Sequence, residues 1–221
     1  MSNSSSCLGF LFKKKDATVS RLLRDCIPNK KSMGASDDTV PVAHGKVHRL
    51  CDYAVQYPQQ IALIGEDVGA SLQQHYRAKQ YGLVDAYTGI LKALVAKCAE
   101  GQVLALLQPY VVNALMLLLR STHVRVASTA AALFFEYTDR LNEKGSGSGG
   151  GDNHLAVFLA PILDLCDRSD AVIYAEHQAL ADDNVVKPLL LGHQMLQRVI
   201  AAMVAAPGAA LLESHLPKVR C

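Results

Sequence analysis

From Val47 the apolar positions Val47, Leu50, Cys51, Ala54 and Val55 recur at i, i+3, i+4, i+7 and i+8, the single stripe of an amphipathic α-helix that Pro58 stops. Ile61, Ile64, Val68 and Leu72 predict a second, shorter helix ending near His75. Leu83, Tyr87, Ile90, Leu91, Leu94, Val95 and Cys98 keep the same spacing, and Gly101 supplies a stop signal. Val103 to Leu119 is nearly all apolar, and Val126, Ala130, Leu133, Phe134, Tyr137 and Leu141 form one more stripe. A Gly/Ser run over 145–151 follows, a composition that cannot join a core. Helical spacing then resumes with Leu155, Phe158, Leu159, Ile162, Leu163 and Cys166, over 171–181, and over 185–205 with Leu189, Leu196, Val199 and Ile200. No stretch shows strand alternation with turn signals.

The pattern predicts an all-α chain. Helix pairs recurring at roughly 40 residues match the period of HEAT or armadillo arrays of antiparallel helix pairs, with a plain helical bundle as the alternative. The expected division is a membrane-anchoring tail over 1–16, N-terminal repeats over 17–142, a flexible linker over 143–153 and further repeat helices over 154–221. A solenoid needs a capped end. Leu211 to Cys221 read instead as the start of another element, so the array reads as truncated.

Val103 to Leu119 is the one stretch with the look of a membrane span. It sits at the lower limit of the ~17–25 residues required and contains Gln108, Pro109 and Asn113. A buried repeat helix with Pro109 in its first turn or at a kink accounts for it better. Aromatic residues are 6% of the chain and tryptophan is absent, so the apolar content is mostly Ala, Leu and Val, suited to closely stacked helices.

Charge changes the picture at one place only. Residues 1–31 hold Lys13, Lys14, Lys15, Arg21, Arg24, Lys30 and Lys31 against Asp16 and Asp25, seven against two, while the whole chain is only +2. A basic N-terminus on a mildly acidic body points to a polyanionic partner, either anionic lipid or nucleic acid. The six cysteines are scattered, without a CxxC pair, which favours a reducing compartment. The opening residues carry no positive n-region, and the apolar run Cys7 to Phe12 is too short for a signal-peptide core.

Sites for catalysis are not found. His44 and His48 are four apart, but no HExxH or zinc-finger spacing accompanies them, and surface or cap roles suffice. Asp182-Asp183-Asn184 lacks the glycine and terminal glutamate of a calcium loop and reads as a helix N-cap. There is no GxGxxG after a strand, no GxxxxGK[ST] and no GxSxG, so no enzyme activity and no cofactor or metal is expected. The N-terminus differs: Cys7 is an acylatable thiol beside Leu8, Phe10, Leu11 and Phe12 and three consecutive lysines. One acyl chain binds membranes marginally, and stable attachment takes a second signal such as a basic patch.

Three segments, Val19-Ser-Arg-Leu-Leu-Arg-Asp-Cys-Ile-Pro28, Lys46-Val-His-Arg-Leu-Cys-Asp-Tyr-Ala-Val-Gln-Tyr-Pro58 and Ile61-Ala-Leu-Ile-Gly-Glu-Asp-Val68, resemble in order and spacing the N-terminus of the eighty-five-requiring, or rolling-blackout, family. Tyr81-Gly-Leu-Val84 and the Val126 to Tyr137 stripe look like its next elements, so the resemblance covers most of 17–142. It implies a helical-repeat scaffold on the cytoplasmic face of the plasma membrane. Such a scaffold recruits a type III phosphatidylinositol 4-kinase through a tetratricopeptide-type adaptor. It also implies Cys7 as the palmitoylation site and Lys13, Lys14, Lys15, Arg21, Arg24, Lys30 and Lys31 as contacts to anionic phospholipids, with no nucleic acid expected. The chain departs from animal members in having Cys7 where they carry a cysteine cluster, and from the family in being several times shorter. The alternative reading is a HEAT-like interaction module whose basic N-terminus binds nucleic acid or another acidic partner.

Overall fold

Among the described residues the apolar stripes of the sequence fold as helices and turn most of their apolar side chains inward. The computed structural model describes residues 17–27, 40–98, 102–121, 123–145, 154–166 and 183–205. Its elements are α1 (Ala17–Cys26), α2 (His44–Gln56), a 3-10 turn (Pro58–Gln60), α3 (Ile61–Arg77), α4 (Tyr81–Lys97), α5 (Gln102–Leu118) and α6 (Val124–Gly145). A second 3-10 turn (His154–Phe158) runs into α7 (159–166), and α8 (Asp183–Ala205) follows. Among the described residues there is no strand, and the chain is all-α.

The helices meet in a regular order. Within the chain's pairs α1 packs on α2, α3 on α4 and α5 on α6. Between pairs α2 packs on α4, α4 on α6 and α6 on α8, while α1 packs on α3 and α3 on α5. Odd and even helices thus form two rows, with the core between them. Leu50, Ile64, Leu72, Ile90, Leu94, Leu107, Leu115, Phe134 and Tyr137 are all closed off from solvent there.

The α3–α4 corner shows how the rows are joined. Lys79 adopts φ 55°, and the amides of Lys79 and Gln80 return to the carbonyls of Tyr76 (3.0 Å) and His75 (2.9 Å), a Schellman closure with lysine at the left-handed position usually given to glycine. His75 locks it from inside: Nδ1 donates to Gln80 Oε1 at 2.6 Å, and its ring stacks on Tyr87 with centroids 5.5 Å apart. Further along, Asp85 of α4 accepts hydrogen bonds from Arg125 and from Thr129 (2.7 Å), tying α4 to α6. Arg198 of α8 reaches Asp139 and Thr138 and covers the Phe135 ring, tying α6 to α8.

Several expectations are corrected. The helix from Ile61 is longer than the one before it, 17 residues against 13, because Gly65, Gly69 and the polar run after Leu72 do not end it. Pro109 lies inside α5, not in its first turn; it faces solvent, as does Ala105, whose carbonyl loses its amide partner, so water can replace the missing bond. Val55 and Ile200 belong to the apolar stripes by spacing yet are exposed. Residues 143–145 are helical, the last turn of α6 reaching Gly145, and 146–153 lie outside the described residues. The stretch 171–181 also lies outside them.

Candidate functional site

Of the residues expected to meet the membrane, the structure describes two. Arg21 and Arg24 stand one turn apart on α1 and are exposed, while Val19, Leu23 and Cys26 on the same helix are buried. Spacing of three places the two guanidinium groups on one face. Cys7, Lys13, Lys14, Lys15, Lys30 and Lys31 lie outside the described residues. α2, packed on α1, adds the exposed cations Lys46 and Arg49, which charge counting over 1–31 missed because they fall later in the chain. The Ala43 amide donates to the Cys26 carbonyl at 3.0 Å and fixes the entry of α2 at the end of α1. Exposed basic side chains of α1 and α2 thus belong to one packed helix pair.

His44 and His48 line a groove between α2 and α4 together with Cys51 and Lys97. Both histidines are exposed, as the sequence reading had it, and Asp52 Oδ2 lies 3.5 Å from His48 Nε2 while its Oδ1 lies 3.9 Å from Lys97 Nζ. Among the described residues no cluster of three or more metal-ligating side chains occurs. His75, by contrast, is buried in the core, a role no spacing rule announced.

The thiols Cys26, Cys51 and Cys98 are free and buried. Burial pushes Cys51 up to about 12, with Cys98, Asp52 and Cys26 adding to the rise, and pushes Cys26 and Cys98 up to about 11. They are neutral core fillers at physiological pH, without the thiolate a nucleophile needs. The sign of the linkage follows. Below pH 9.0, the ordinary value, these thiols are protonated folded or unfolded; above it only the unfolded chain releases protons. Stability should therefore fall as pH rises from 9 through 12, a window to which buried Tyr137, also pushed up to about 12, contributes. Urea midpoints at pH 8 and pH 10.5 measure this, and a Cys51→Ala, Cys98→Ala variant should lose part of the dependence; equal midpoints for the native chain would contradict it.

A second groove, of 460 Å³, runs between α3 and α5. Its base is Gly65, Gly69 and Ala114, and Tyr110 and Leu117 wall it. A Cβ on Gly65 would sit 2.4 Å from the Tyr110 ring, so only glycine lets α5 approach there. Burial and the neighbouring Glu66 raise the Tyr110 hydroxyl above its ordinary value. The signal for this groove was present in the sequence as two glycines four apart inside a helix, each costing ~1 kcal/mol against alanine.

Comparison of the chain with protein-family models, with curated proteins and with solved structures finds no match. No helix among the described residues is long and apolar enough to cross a membrane, α5 included.

Proposed function

We propose that the chain is a non-catalytic peripheral scaffold: a HEAT/armadillo-like array of antiparallel helix pairs whose N-terminal end is held on anionic phospholipids at the cytoplasmic face of the plasma membrane. The array supports a tetratricopeptide-type adaptor and, through it, a phosphatidylinositol 4-kinase. The observation that carries the reading is the joining of two basic features. The acylatable, lysine-rich segment at Cys7 to Lys15 precedes α1, which exposes Arg21 and Arg24, and α2, packed on α1, exposes Lys46 and Arg49. The repeat arrangement is supported by the alternating contacts, α1 on α3 and α3 on α5 in one row, and α2 on α4, α4 on α6 and α6 on α8 in the other. α1, α3 and α5 start at 17, 61 and 102 and α2, α4 and α6 at 44, 81 and 124, close to the roughly 40-residue period of such arrays. The three segments that carry the family resemblance form α1, α2 and the first half of α3, which pack on one another as a unit.

The test is binding of the purified chain to vesicles of anionic phospholipid and to RNA at one matched salt concentration, since counterion release affects both. Tighter binding to vesicles is expected. Preference for RNA would replace this reading with that of a nucleic-acid-binding module.

A further inference from the structure

The α3/α5 groove has a definite chemical character. α5 carries no charged residue over its whole length, and the one charged side chain lining the groove is Glu66. At 460 Å³ it falls within the ~300–1,000 Å³ range of ligand sites. Leu106, one turn before Tyr110 on α5, is 46% exposed and lengthens the apolar strip. An occupant should be apolar, with positive charge where it passes Glu66.

The sequence just before α1 holds such a segment. Leu8-Gly-Phe-Leu-Phe-Lys-Lys-Lys15 joins four apolar side chains to three cations. It leads into α1, which is fastened to α3 by Ser20 Oγ donating to Asp67 Oδ2 at 3.3 Å, and Asp67 is the residue after Glu66. At 100° per residue Asp67 faces α1, while Gly65, Gly69 and Gln73 turn toward α5, with Glu66 and Ala70 on the crest between. To enter the groove, the chain before Ala17 has only to cross one helix, ~10–12 Å wide. The five residue-to-residue steps from Phe12 to Ala17 span up to ~17 Å.

We propose that residues Leu8 to Lys15 dock in the α3/α5 groove of their own chain, a phenylalanine over Gly69 and against the Tyr110 ring that covers Gly65, and the lysines beside Glu66. This rests on reading the segment as a membrane anchor: the same side chains occupy the groove in solution and the bilayer when it is present. Docking then sets the strength of anchoring, because the bilayer has to compete with the groove for one set of apolar groups.

The chain has no tryptophan, so Phe12→Trp installs a single reporter. In lipid-free buffer its emission should be blue-shifted and its acrylamide quenching several-fold weaker than that of free tryptophan. Gly69→Leu puts a side chain into the groove at a position where nothing lies within 4 Å of a Cβ, and should return both readouts to solvent values. Glu66→Lys should shift them the same way. Readouts unchanged by Gly69→Leu would overturn the docking, and a blue shift that grows with protein concentration would overturn it in favour of contact between two copies. Adding anionic vesicles separates the two readings. A groove signal with no transfer to vesicles rejects the anchor alone; vesicle binding by a chain whose reporter was solvent-exposed beforehand rejects the docking alone. With docking correct, Gly69→Leu should bind vesicles a few-fold more tightly.

Discussion

Replacing Cys7 with serine and Lys13, Lys14 and Lys15 with glutamate in one variant should leave the protein almost wholly soluble, while either change alone releases only part of it. A single acyl chain gives marginal, reversible binding, on the order of 10⁴ M⁻¹. Each lysine near an anionic leaflet adds about 1 kcal/mol, and its attraction decays over a Debye length of ~8 Å at physiological salt. Reversing three charges therefore removes at least about 3 kcal/mol, roughly a hundredfold in partition. Arg21 and Arg24, exposed on α1, remain in all these variants, so residual binding of the charge-reversed form should be weaker and less sensitive to salt. Fractionation at two salt concentrations measures both effects. Unchanged membrane association of the combined variant would move the contact onto the folded helices.

Phe134→Ala should be the most costly single change in the described core. The ring is fully buried in α6 and meets Phe158 edge to face, centroids 5.6 Å apart and planes at 87°, so it joins the α4–α6 layer to the turn that leads into α7. Removing a buried phenyl costs ~3–5 kcal/mol through lost transfer energy and the cavity left behind. That is a large share of the ~5–15 kcal/mol that holds a domain folded. Phe158→Ala should cost a similar amount, and the double variant less than their sum, because the two rings share one contact. Denaturant midpoints measure this; additive losses would show that the rings do not support each other.

The helices were legible because the information is local. Val47, Leu50, Cys51 and Ala54, or Leu83, Tyr87, Ile90, Leu91, Leu94 and Val95, are spaced so that one face alone is apolar, and each of these residues is buried. What spacing cannot give is the depth at which a stripe ends: Val55 and Ile200 fit their stripes and yet lie beyond the reach of the neighbouring helix. Sequence left Pro109 between the first turn and a kink because its cost depends on which side of α5 faces water, a tertiary fact. The buried role of His75 was not legible for a related reason: its partners Gln80 and Tyr87 come together only once the α3–α4 corner has closed. At the candidate membrane-binding end, the cations of residues 1–31 could be counted from sequence. The contribution of Lys46 and Arg49 required knowing that α2 packs on α1. The α3/α5 groove announced itself only through Gly65 and Gly69, and its meaning depends on where Tyr110 falls on another helix.

The central claim is that the N-terminal segment, and not the helical array, holds this protein on a membrane. Imaging a fluorescent fusion of the full chain beside one lacking residues 1–16, which keeps α1 in place, is the sharpest test. The full chain should lie at the inner face of the plasma membrane and the shortened chain should be dispersed in the cytosol. Retention of the shortened chain at the membrane, or accumulation of the full chain on nucleic acid, would contradict it.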